Sequence, residues 1–152
     1  MVKELEKLAA SEVEILMKAP LLVCILIAGA DNEIDKKEIK GAIELAKTAK
    51  SKANMSEFYQ LVTEDFEDKL KIILQGLPIE STQRNPLLFE ELSRLNFILP
   101  KINKAFALGY YKSLTYIAKK IAESSGGMLG MKSVGDEELK LIRLPMIKSP
   151  SV

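Results

Sequence analysis

Apolar positions recur every three or four residues along most of this chain, the spacing of helices that bury one face. Residues 3 to 17 set Leu5, Leu8, Ala9, Val13, Leu16 and Met17 against Lys3, Glu4, Glu6, Lys7, Glu12 and Glu14. The pattern then changes. From 20 to 30 no polar side chain occurs, so a helix there is apolar on every side and must be enclosed by others. Pro20 suits the first turn of such a helix, where its missing N–H is no loss. Immediately afterwards Asp31, Glu33, Asp35 and Glu38 fall within eight residues. A dry helix is therefore expected to deliver an acidic loop to the surface. A new helix follows from 35 to about 50, with Ile39, Ala42, Ile43 and Ala46 inward.

Further along, Ser56 is placed to cap a short helix carrying Phe58, Leu61 and Val62. Thr63 is placed to cap another, with Glu64, Asp65, Glu67 and Asp68 in its first turns and Phe66, Leu70, Ile73, Leu74 and Leu77 inward. Gly76 and Pro78 stop it. Residues 79 to 85 read as a polar loop, and Asn85-Pro86 as a helix start leading to Leu88, Leu92, Leu95 and Leu99. Pro100 opens or kinks the longest helix, which runs to about 124 on a stripe of Ile102, Phe106, Tyr110, Leu114, Ile117 and Ile121. A Gly-rich link leads to a short helix from 136 to 144, stopped by Pro145. No stretch alternates as a strand would. The expectation is an all-α single domain of about seven helices over residues 1 to 145, with a frayed tail from 146 to 152.

Composition narrows the chemistry. A chain of 152 residues fits one domain with a substantial core. A net charge of +1 gives no general pull toward nucleic acid, and no nucleic-acid partner is expected. Charge is uneven, with three bases against six acids from 51 to 80 and eight bases against three acids from 81 to 132. The chain has no histidine. That removes the usual general base near neutral pH, the Ser-His and Cys-His nucleophile pairs, and nearly all zinc and di-iron sites. Cys24 stands alone inside the apolar run and reads as a buried, inert thiol. No nucleophile–base pair can be assembled, so the expectation is a protein that is not an enzyme; carboxylate-only hydrolysis is left formally open. The N-terminus mixes acids among its apolar residues, unlike a signal peptide. The apolar run is about a dozen residues, well short of the ~20 that span a bilayer. A cytoplasmic protein without a transmembrane segment is the expectation.

The acidic loop admits two readings. Asp35 and Glu38 have capping-box spacing, and carboxylates at a helix N-terminus gain ~0.3–1 kcal/mol from the dipole. Alternatively, Asp31, Glu33, Asp35 and Glu38 contribute oxygen ligands to a hard cation, Ca²⁺ or Mg²⁺. The loop is not an EF-hand, because Lys36 replaces the glycine and Ala42 the closing glutamate. A second acidic run, Asp136, Glu137 and Glu138, repeats the order apolar, cap position, two polar residues, Glu, apolar. It is either a second capping device or a duplicated unit that completes a metal site. Residues 124 to 130 read as a helix C-cap and not a phosphate loop, since neither phosphate-loop pattern is present. The acids from 64 to 68 read as a solvated first turn. Lys101, Lys104, Lys112 and Lys119 read as a solvated face, without interleaved exposed aromatics or arginine.

At these residues the chain resembles the TerB-like family, named for bacterial tellurite-resistance proteins. The matching stretches are Ala30-Asp31-Asn32-Glu33-Ile34-Asp35-Lys36-Lys37-Glu38, Phe58-Tyr59-Gln60-Leu61-Val62-Thr63, and Ala122-Glu123-Ser124-Ser125-Gly126-Gly127-Met128-Leu129-Gly130 continuing through Glu138. Together they cover about residues 12 to 144 in order. Asn32 stands where the family usually has Gly, and Gly135 where a Ser, Thr or Asp cap is usual. The resemblance implies two interlocked helical bundles around the apolar helix, no established enzymatic activity, and a role in stress response of the tellurite-resistance type. It also implies metal binding at the acidic loops and a protein partner, membrane-associated in many family members. Two functions are therefore expected in competition. One is a module binding a divalent cation through Asp31, Glu33, Asp35, Glu38, Asp136, Glu137 and Glu138. The other is a metal-independent interaction domain, co-chaperone-like or part of a membrane complex.

Overall fold

The computed structural model describes residues 3–28, 36–48, 55–123 and 141–150, and every regular element among them is helical. A 3₁₀ turn over Lys3–Lys7 tucks Leu5 into the core, and the chain then enters α1, Ala10–Ala28. The expected helix from 3 to 17 is thus interrupted at Leu8 and Ala9. Glu12 holds that break by accepting from the Ala9 N–H at 3.0 Å, the reach-back half of a capping box.

Pro20 does not open a new helix; it lies inside α1. A proline there withholds the N–H that the carbonyl four residues earlier, that of Leu16, would accept. The Tyr110 hydroxyl replaces it, donating to the Leu16 carbonyl oxygen at 2.8 Å in a fully buried position. Two expected helices therefore fuse into one. Every residue from Ala19 to Ala28 is buried, as a helix apolar on all sides requires.

Helix α2, Lys36–Thr48, buries Ile39, Ala42, Ile43 and Ala46, the stripe its spacing predicts. Helix α3, Ser56–Thr63, buries Phe58, Tyr59 and Val62. Thr63 closes α3 rather than opening the next helix, because its hydroxyl donates back to the Gln60 carbonyl at 2.9 Å. The turn into α4, Phe66–Gln75, is made instead by Asp65 in a left-handed conformation, φ 51°. Gly76 ends α4 where expected.

Helix α5, Ser81–Ser93, begins in the stretch read as a loop and takes Pro86 into its interior. The carbonyl that Pro86 leaves without its helical donor belongs to Thr82, which is exposed, so water can take the bond. The buried Arg84 folds back and donates to the Ile79 carbonyl at 3.0 Å, tying the entry of the helix. After α6, Leu95–Ile98, Pro100 falls in a 3₁₀ turn, Leu99–Lys101. The long helix α7, Lys104–Ala122, starts four residues after Pro100, where Asn103 accepts from the Phe106 N–H at 3.1 Å.

Helix α1 runs through the middle of the arrangement. It packs chiefly against α7 and α5 and also touches α2, α3 and α6, while α2 lies on α3 and α7. Phe58 stands at the aromatic centre, edge-on to Tyr59, Tyr110 and Phe106 with ring centroids 5.2, 5.4 and 6.2 Å away. Part of the terminal stretch expected to fray is anchored. Asn96 donates to the Met146 carbonyl at 2.9 Å and accepts from the Lys148 N–H at 2.7 Å, and Leu144 and Ile147 are buried. Residues 151 and 152 lie outside the described residues, as do the Gly-rich link and most of the expected helix from 136 to 144.

Candidate functional site

Of the seven predicted ligands, Asp31, Glu33, Asp35, Asp136, Glu137 and Glu138 lie outside the described residues. Glu38 is described. It sits half-buried in the first turn of α2, one residue before the fully buried Ile39. On the other side of the acidic run, Ala28 ends α1 in the core. Among the described residues no three His, Cys, Asp or Glu side chains gather where they could hold a metal ion. Of the acids from 64 to 68, Asp65, Glu67 and Asp68 share a shallow hollow of about 470 Å³ with Lys40, Glu44 and Lys47 of α2.

A feature that the periodicity does not announce lies between α1, α4 and α5. Only Phe66 and Leu70 of α4 are fully buried, although its spacing predicted a stripe through Leu77. Ile73, Leu74 and Leu77 are partly buried, and Ile72 is 68 % exposed. The space left beneath α4 is a cleft of about 360 Å³ with Met17, Leu21 and Leu22 of α1 on one side and Ile72, Ile73 and Leu88 on the others. Charges of both signs rim it: Glu14 and Lys18 on α1, Lys69 on α4, Glu91 on α5. Lys69 also donates to the Leu61 carbonyl at 2.9 Å, which bonds α4 to the end of α3. The one sequence signal for this cleft is Ile72, an apolar residue off the inward stripe.

The buried polar groups are structural. Burial pushes the Cys24 thiol far above its usual range, which removes thiolate reactivity. Burial likewise raises the Tyr59 and Tyr110 phenols, against a lowering contribution from the hydrogen bond with Ser113 in the case of Tyr59. Tyr59 and Ser113 lie 2.6 Å apart, and Ser113 donates to the Tyr110 carbonyl at 2.6 Å. The basic face of α7 is less simple than its lysines suggested. Lys101 lies off the helix, in the turn before it, and is paired with Glu12 at 2.6 Å; Lys120 lies 5.5 Å from the Tyr116 ring centroid, and Tyr111 and Tyr116 are half-buried.

No described helix is long and apolar enough to cross a membrane. No family model, no curated protein and no solved structure matches the chain.

Proposed function

We propose that this chain is a non-enzymatic helical module that works by holding a partner protein. The apolar cleft between α1, α4 and α5 carries the reading. Its partner is an amphipathic helix whose apolar face fills the cleft and whose flanking charges of both signs meet Lys18 and Lys69, Glu14 and Glu91. The mixed rim favours a peptide over a simple lipid or anion, which would meet like charge at one edge. The test is binding of a designed amphipathic peptide with that charge pattern, measured by fluorescence anisotropy. Capture lost on Ile72→Glu supports the reading. Equal binding by the variant overturns it.

A second reading concerns the acidic loops, and two things favour it: the TerB-like resemblance and the gathering of Asp31, Glu33, Asp35 and Glu38 within eight residues of sequence. Here Asp31, Glu33, Asp35 and Glu38, with Asp136, Glu137 and Glu138, bind Ca²⁺ or Mg²⁺, and the partner senses that state. The mechanism would be neutralisation of clustered carboxylates, which repel one another without a cation. A stress-response role of the tellurite-resistance type in the cytoplasm, with a membrane-associated partner, follows from the same resemblance. Calorimetry with each ion decides: neither heat nor a shift in Tm at millimolar ion sinks the cation reading. Partner capture that survives a chelator returns the function to the cleft alone.

A further inference from the structure

A second cavity lies where the terminal segment, residues 148–150, meets the start of α7 and the turn before it. It has a volume of about 380 Å³. Leu99, Pro100, Ile102 and Ala107 give it an apolar floor, and Lys104, Lys148 and Ser149 line its polar side. Every ionisable side chain lining it is a lysine. Among the described residues neither Lys104 nor Lys148 stands in an ion pair, whereas the adjacent Lys101 is drawn away to Glu12. Asn96 clasps the chain on both sides of Ile147, and Lys148 and Lys104, 44 residues apart in sequence, line the same cavity. The peptide N–H groups at the start of α7 add positive potential on the same side.

We propose that this cavity is a binding site for a small organic anion, one with a compact apolar body and a phosphate or carboxylate head. The body covers the floor formed by Leu99, Ile102 and Ala107. The head is held by the Lys104 and Lys148 ammonium groups, with Asn96 as the positioning residue that keeps Lys148 in place. Two like charges facing one apolar hollow repel each other until an anion sits between them, so charge selects the ligand and the floor selects its shape.

The test uses the whole chain with phenyl phosphate, phenylacetate, inorganic phosphate and uncharged benzyl alcohol as probes, read by amide chemical shifts at Asn96 and Ala107. Phenyl phosphate or phenylacetate should bind, and the stronger of the two identifies the head group. Inorganic phosphate should bind more weakly because it leaves the floor uncovered. Both lysines are exposed, so Lys104→Gln and Lys148→Gln should keep the fold and each weaken binding about five-fold, an exposed ion pair being worth up to about 1 kcal/mol. Asn96→Ala should weaken it comparably with Lys104 intact. Raising salt should weaken it further. Binding of benzyl alcohol as tight as that of phenyl phosphate overturns the proposal. So does an unchanged affinity in the double lysine variant, or the absence of any shift at 10 mM probe (a concentration of about that order suits weak surface sites).

Discussion

The hydroxyl of Tyr110 completes the backbone of a helix to which it does not belong. It donates to the Leu16 carbonyl at 2.8 Å, the acceptor that Pro20 leaves without its helical N–H. The two residues are 94 apart in sequence, and the bond is buried. Tyr110→Phe should therefore leave a buried carbonyl unsatisfied and destabilise the protein by about 1–3 kcal/mol. The effect should shrink when Pro20 is also replaced by Ala, because an N–H at position 20 can take over the bond. Urea denaturation of wild type, both single variants and the double variant forms a cycle that checks this; strict additivity would refute the coupling.

Acid titration should expose the pair that ties α1 to the turn before α7. The Lys101 ammonium, 2.6 Å from Glu12, and the Ala9 N–H hold the Glu12 carboxyl below its ordinary value near 4.5. A depressed carboxyl contributes stability above the unfolded value and loses it as pH falls through the folded one. Stability should thus decline below about pH 4.5, and Lys101→Gln should flatten that decline. Carboxyl-resolved NMR should show the Glu12 midpoint moving upward in the variant.

Alkaline pH acts with the opposite sign. Burial keeps Cys24, Tyr59 and Tyr110 protonated in the fold well above the ordinary values of 9.0 for the thiol and 10.0 for the phenols. The unfolded chain sheds these protons first, so the stability these three groups contribute is fully present below pH 9.0 and is lost as pH rises past 9.0 and then 10.0. Tyr59→Phe should reduce the steepness of the fall, as judged by denaturation midpoints across the alkaline range. In the same window a thiol reagent should label Cys24 only at the rate of unfolding; rapid labelling of the folded protein would contradict its burial.

Ile72 separates binding from folding. It is 68 % exposed, so Ile72→Glu should change stability by no more than about 0.5 kcal/mol. If the cleft holds a helix, the same change should abolish capture by placing a carboxylate on its apolar wall. Leu70→Ala, two residues earlier and fully buried, should instead lose about 2–5 kcal/mol. A thermal melt of each variant beside the peptide-binding assay distinguishes the two effects.

Much of the fold was legible because burial in helices is periodic. Ile39, Ala42, Ile43 and Ala46 are inward as their spacing requires, and so are Phe106, Tyr110, Leu114, Ile117 and Ile121. Helix boundaries were less legible where proline or a cap residue stood. Pro20 and Pro86 both read as helix starts and both lie inside helices. Thr63 read as a cap and is a terminator, and Asp65 makes the turn in its place. Local chemistry allows each alternative, and which one prevails depends on partners the local sequence does not contain. The cleft was not legible for a related reason. A stripe reports which residues can be buried, whereas the gap under α4 depends on how closely α4 approaches α1.

By itself the sequence determined an all-helical core organised on one helix with no polar face, since residues 20 to 30 offer nothing that tolerates water. It also determined that these 152 residues supply neither a histidine nor a second cysteine for an internal disulfide, which follows from composition alone. Only the tertiary structure decided that this helix runs unbroken through Pro20, because the donor that repairs it comes from Tyr110 on α7. Only the tertiary structure brings Lys148 and Lys104 to the wall of one cavity, with Asn96 gripping the distant segment that carries Lys148. Periodicity records the side of a helix that faces inward; hydrogen bonds and cavities between remote segments depend on where each helix comes to rest.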